Sequence, residues 1–171
     1  MGYSTDFNGG IKLDKELTEV QLEFLEALSS TRRMARDNSA LPNGENELHN
    51  RVGLGLGVEG EFYVGDNSIG VLNNNSPAST QAGLWCQWII EDGEIVWDYN
   101  EKFYNYVEWM EYIVAILDKW GVVCNGEIYW SGEESEDLGL IRVKDNVVTA
   151  HSGEVSYGET EPTVENVLDV V

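Results

Sequence analysis

Lys and Arg are scarce in this chain. Ten of them face 31 Asp and Glu, so its 171 residues carry a formal charge of −21 and the isoelectric point is near 4.1. Such a surface repels DNA, RNA and anionic membranes and favours basic partners or cations, unless the charge serves solubility alone. Cysteine is limited to Cys86 and Cys124 and histidine to His49 and His151, with no recognisable metal-ligand spacing. Neither histidine accompanies a serine or cysteine motif, so nucleophilic catalysis lacks a base and both read as surface residues. No apolar run approaches the roughly 20 residues that span a bilayer. The start MGYSTDFNGG has no basic stretch or apolar core of a secretory signal, and a cytoplasmic setting is expected. Both cysteines fall in apolar strand-like stretches, as buried reduced thiols or, if the strands are neighbours, as a bridge. No cofactor motif is found.

Aromatic residues are what the chain has in quantity. All six tryptophans, at 85, 88, 97, 109, 120 and 130, lie between Leu84 and Trp130. Each fully buried aromatic removes roughly 150–250 Å² from water, so most of the core is expected there. Leu84, Cys86, Trp88 and Ile90 alternate with Trp85, Gln87 and Ile89, and Asp92-Gly93 marks a two-residue hairpin leading to Ile95 and Trp97. With large residues on both faces, this hairpin is expected at the centre of a sheet. A long helix is expected from Glu101 or Lys102 to Trp120, with Gly121 closing it. Tyr106, Met110, Ile113, Leu117 and Trp120 share one strip of that helix, and Glu101, Glu108, Glu111 and Asp118 share another. A strand follows to Trp130. The loop 132–139 then carries Glu133, Glu134, Glu136 and Asp137, and a second hairpin turns at Lys144–Asn146.

Towards the N-terminus, Tyr3, Thr5 and Phe7 alternate as in a half-buried strand. Asn8-Gly9-Gly10 reads as a turn or bulge before Ile11 and Leu13. Thr18 and Gln21 fit a capping box opening a helix expected to run to about Arg36. Arg32, Arg33 and Arg36 then fall in its last turns. They either complement the helix dipole or form an anion or phosphate contact. From 38 to 83 Asn, Gly, Ser and Pro dominate, and only a short strand at 61–64 is expected. Gly53, Gly55, Gly57 and Gly60 superficially resemble a phosphate loop but lack the strand before and the helix after, so a mobile or ligand-covering loop is the better reading. The expected fold is α+β: one domain over 1–150, a mainly antiparallel sheet with two principal helices on one face, and a long irregular insertion before the central hairpin. Residues 151–171 read as an acidic, partly disordered tail.

The stretches MGYSTDF, TRRMARD, GLWCQW, EKFYNYVEWMEYI and NGEIYWSGEESEDLG, together about residues 1–37 and 83–140, resemble a group of small, functionally uncharacterised proteins of phages and bacteria. The resemblance implies phage origin and a host-cytoplasmic setting, and no mechanism.

Three functional readings follow. Between Leu84 and Leu140 there are 13 acids against Lys102 and Lys119. In the first reading Glu101, Glu108, Glu111, Asp118, Glu133, Glu134, Glu136 and Asp137 imitate the phosphates of a duplex. They would occupy the basic groove of a host nucleic-acid-binding protein such as a nuclease, restriction enzyme or CRISPR effector, with no direct contact to nucleic acid or membrane. In the second, Arg32, Arg33 and Arg36 grip a small anion or nucleotide under the 38–83 loop, as a ligand-binding domain or enzyme. In the third the chain is a virion assembly protein.

Overall fold

A computed structural model describes residues 2–158 of the chain. In chain order the elements are β1 (Thr5–Leu13), α1 (Glu19–Ser30), β2 (Ala35–Arg36), α2 (Leu48–Arg51) and β3 (Val71–Asn73). There follow β4 (Trp88–Glu91), β5 (Glu94–Trp97), α3 (Tyr106–Lys119), β6 (Cys124–Gly132), β7 (Leu138–Lys144) and β8 (Val147–Ser152). Six strands form an antiparallel sheet in the order β4-β5-β1-β6-β7-β8, and β2 pairs separately with β3. The fold is α+β, with both long helices contributing to the core on one face of the sheet. Among the described residues no helix is long and apolar enough to cross a membrane.

β1 does not turn at Asn8-Gly9-Gly10. It runs straight through, paired with β6 from Thr5↔Gly132 to Leu13↔Cys124. The same-face spacing survives, so Phe7 and Ile11 both point into the core. The Asp92-Gly93 hairpin forms as expected, both residues having positive φ, 52° and 76°. It is not central, however. β4 is an outer strand and begins only at Trp88, which leaves Trp85 exposed. The middle of the sheet is β1 with β6.

α1 opens with the Thr18–Gln21 capping box, Thr18 Oγ1 accepting from the Gln21 N–H and Gln21 Oε1 from the Thr18 N–H. It ends at Ser30, six residues before Arg36. The hydroxyls of Ser29, Ser30 and Thr31 bond back to the Glu26 and Ala27 carbonyls, competing with the helix ladder, and Thr31 turns the backbone extended. α3 buries Trp109 and Ile116 besides Met110, Ile113, Val114 and Leu117, a wider face than one apolar strip. The extra width covers the insertion: Phe62 lies between Phe24 of α1 and Tyr112 of α3, and Trp120 Nε1 donates to the Val52 carbonyl at 2.9 Å.

The 38–83 segment holds no strand at 61–64. Its one strand is β3, and Val52, Leu56, Phe62 and Tyr63 are buried. β8 extends the second hairpin through His151, so the regular fold runs beyond 150; residues 153–158 are exposed, and 159–171 of the expected tail lie outside the described residues. Cys86 and Cys124 are free, buried thiols, and burial pushes them up to about 12 and about 11.

Phe7 meets the rings of Trp88, Trp97, Phe103 and Tyr106 at 4.9–5.7 Å between centroids, all edge-on. Phe7→Ala is expected to cost about 3–5 kcal/mol, and Phe7→Leu less. Urea unfolding followed by tryptophan fluorescence measures both.

Candidate functional site: the acidic edge of α3

α3 starts at Tyr106 rather than at Glu101. Tyr99, Lys102 and Asn105 all have positive φ, which keeps the preceding chain out of the right-handed helix. Glu101 therefore leaves the expected strip. It lies exposed in the loop before α3, where its backbone carbonyl accepts from Gln87 Nε2 at 3.0 Å. Glu108, Glu111 and Asp118 remain together, exposed along one edge of the helix. That edge is stiff because the residues between them, Trp109, Met110, Ile113, Val114 and Leu117, are almost wholly buried.

Two shallow clefts flank the edge. Glu108 and Glu111 face Thr80, Gln81 and Ala82 across one of about 350 Å³. Glu111 and Asp118 line the other, about 500 Å³, with Asp145, Asn146 and Val148 on the β7–β8 side. Asp118 accepts from Asn146 Nδ2 at 2.8 Å, which fixes the helix against the turn. Among the described residues the one ion pair is Arg142–Glu127, at 2.9 Å and partly exposed. The α3 carboxylates thus form no ion pair among the described residues, although Lys119 follows Asp118 on the helix.

The second acidic group lies on the β6–β7 turn. Glu133 accepts from the Ser4 N–H at 2.7 Å. Asp137 accepts from the Tyr3 hydroxyl at 2.7 Å and Trp130 Nε1 at 3.1 Å, and so secures the N-terminal segment. Glu134 and Glu136 are exposed. The turn lies near the start of α3, where Tyr106 contacts Trp130. Burial, with the charges of Asp137 and Glu108 nearby, pushes the Tyr106 hydroxyl up to about 12.

The arginines have another role. None sits in the last turn of α1, so they do not complement its dipole. Arg33 is 2% exposed, and its guanidinium donates to the carbonyls of Glu61 and Tyr63 at 2.9 and 2.7 Å and to Thr31 Oγ1 at 2.7 Å. Arg36, equally buried, donates to the Ile69 and Asn67 carbonyls at 2.6 and 3.0 Å and to Asn67 Oδ1 at 2.7 Å, and lies over the Tyr63 ring. Arg32 donates to the Asn74 carbonyl at 2.9 Å. All three fasten the insertion to the segment after α1. Burial lowers Arg33 to about 10, still charged at neutral pH. A large cleft of about 870 Å³ lies between α1 and β4, lined by Leu22, Leu25, Glu26, Trp85, Ile89 and Asp98 among others, and contains none of them.

Sequence reasoning missed a buried polar knot beside this anchor. Glu61 is 7% exposed and accepts from the Tyr112 hydroxyl and the Val58 N–H, both at 2.8 Å, while Gln81 Nε2 donates to the Glu61 carbonyl at 2.7 Å. Its one trace was a Glu directly before the apolar run Phe62–Val64. His49 is also buried rather than on the surface, with Nε2 2.9 Å from Asn43 Oδ1 and its ring edge-on to Tyr63. Among the described residues no cluster of His, Cys, Asp and Glu could hold a metal ion. No protein-family model matches the chain, and no curated protein or solved structure matches it either.

Two outcomes follow from this geometry. Arg33→Ala leaves the Tyr63 carbonyl without this donor and the Glu61 carbonyl with Gln81 alone, and is expected to destabilise by on the order of 3 kcal/mol, read as the urea midpoint; a residue serving only an external anion would leave stability unchanged. Burial depresses His49 below its ordinary value of 6.5. The unfolded chain therefore takes up its proton first, and stability is unaffected above about pH 6.5 and falls as pH drops below it towards the folded value. His49→Gln should flatten that slope in melting temperatures measured between about pH 7.5 and 5.5.

Proposed function

We propose that this chain is an acidic, non-enzymatic protein of phage type that binds a basic host protein and acts as a nucleic-acid mimic against a defence nuclease or CRISPR effector. The observation that carries the reading is the row Glu108, Glu111 and Asp118, exposed on a helix whose other face is core, none of them in an ion pair among the described residues. Fixed carboxylates lose no side-chain ordering of their scaffold on binding, and their loosely held counterions are released when Lys or Arg replaces them.

Charge spacing narrows the kind of nucleic acid imitated. Glu108 to Asp118 spans about 15 Å of helix, so the two intervals between three carboxylates average about 7.5 Å. Adding Asp145 across the cleft makes three intervals of about 5 Å each. A duplex carries one per about 1.7 Å and one strand one per about 3.4 Å. The row is closer to a single strand, and a single-strand or guide channel is the better-matched target. The loop acids Glu134 and Glu136 extend the acidic surface beyond the start of α3.

The test is inhibition of cleavage by a panel of host nucleases and CRISPR effectors, with affinity followed over a salt series. Three to four cation contacts at the single-strand slope predict a loss of roughly 20–50-fold between about 50 and 200 mM salt. The Glu108→Gln, Glu111→Gln, Asp118→Asn triple variant should lose both inhibition and most of that salt dependence. Inhibition that survives the triple variant unchanged rejects the reading.

A further inference from the structure

The two ends of the main sheet differ. β4 is four residues long and α1 packs against it, whereas β8 is six residues, Val147–Ser152, and among the described residues pairs on one side only, with β7. β8 carries no charged residue, no Pro and no bulge, although exposed edges ordinarily carry one of these. The hairpin turn at Asp145-Asn146 fixes which of its backbone groups are free. Lys144↔Val147 is the pair nearest the turn, Gly153 N donates to the Leu138 carbonyl at 2.7 Å, and antiparallel pairs alternate between bonded and non-bonded. Val148, Ala150 and Ser152 therefore aim three N–H and three C=O groups away from the sheet.

These same residues face the α3 side. Val148 pairs with buried Val143 and Ala150 with buried Ile141, and Val148 lines the cleft that holds Glu111, Asp118 and Asp145. A strand added to β8 would lie about 4.8 Å away. Its residues opposite Val148 and Ala150 would project towards the carboxylates, and those opposite Thr149 and His151 towards the open face of the sheet. We infer that β8 is a docking edge for an extended segment of the basic partner, with Lys or Arg at alternate positions. Backbone pairing supplies register, and the cations at every second position meet Glu111 and Asp118. A second copy of this chain fits less well, because it would bring another −21 against the same acids.

The inference rests on the reading of the α3 edge as the binding surface, and the test separates the two. The probe is a fluorophore-labelled peptide, Thr-Lys-Val-Lys-Val-Lys-Thr with capped ends, compared with the same peptide N-methylated at alternate amides, using anisotropy. N-methylation should abolish binding. Ala150→Pro should weaken it about tenfold, the loss of one or two hydrogen bonds, with the urea midpoint preserved because the Ala150 N–H serves no bond among the described residues. Glu111→Gln should weaken it several-fold, and the probe should protect the Val148 and Ala150 amides from hydrogen exchange. Should Ala150→Pro fail to fold, the N-methylated peptide against the unmodified protein still decides the matter. Equal affinity for the two peptides, with Glu111→Gln still weakening both, overturns strand addition and leaves the acidic surface standing. Affinity unmoved by Glu111→Gln overturns the seating of the partner's cations on the α3 carboxylates and removes the support of that edge as the binding surface.

Discussion

The pairing of β1 with β6 is the constraint from which the rest of the molecule hangs. Nine consecutive residues on each strand face one another without a break. Gly9 and Gly126 allow it: both have positive φ, and a Cβ on either would run into the backbone of the other strand. This contact lets Phe7, Ile11 and Ile128 share one buried face. The hairpin then attaches through Ile11↔Ile95, and the rings of Trp88 and Trp97 close around Phe7. α3 can present a rigid acidic edge only because its other sides press against this aromatic floor and against Phe62 and Val52 of the insertion.

The insertion is fixed by a different kind of interaction. A segment rich in Asn, Gly and Ser has little apolar surface to bury and leaves many carbonyls to satisfy. Arg33 and Arg36 do so from within, each offering a planar fork to two backbone carbonyls of the segment. Carbonyl dipoles in place of a carboxylate leave Arg33 buried, charged and short of a full ion pair, which is why burial lowers it as far as it does. Glu61, with its Tyr112 and Gln81 contacts, ties the other side of this anchor to α3. An apparent anion-binding cluster is thereby the fastening of a loop.

How much was legible in the sequence depended on range. The capping box at Thr18 and Gln21, the Asp92-Gly93 turn and the stop at Gly121 are local chemistry, and all three lie where their residues indicated. The α3 acids Glu108, Glu111 and Asp118 follow from helical periodicity alone. The failures were those in which distant residues decide. Gly9-Gly10 looked like a turn because the partner glycine that makes it a strand is Gly126. Glu61–Val64 read as a short strand, yet Arg33 and Tyr112 claim its polar groups. Arg32 to Arg36 seemed to continue a helix, but the Ser29-Ser30-Thr31 hydroxyls had already diverted the backbone. The order of strands in the sheet, and with it the exposure of β8, has no signature in any single stretch.

A bare edge such as β8 ordinarily invites pairing between copies, and this one has no charge, proline or bulge within it. What guards it stands beside it. Glu111, Asp118 and Asp145 border the same cleft, and the chain as a whole carries −21. Two copies approaching edge to edge would bring those carboxylates together, at a cost that acts over a Debye length of about 8 Å at physiological ionic strength and only about 3 Å at 1 M salt. The same field draws in a cationic strand. One arrangement of charge therefore opposes self-assembly and selects the partner, and it does so without placing any charge where backbone pairing must occur.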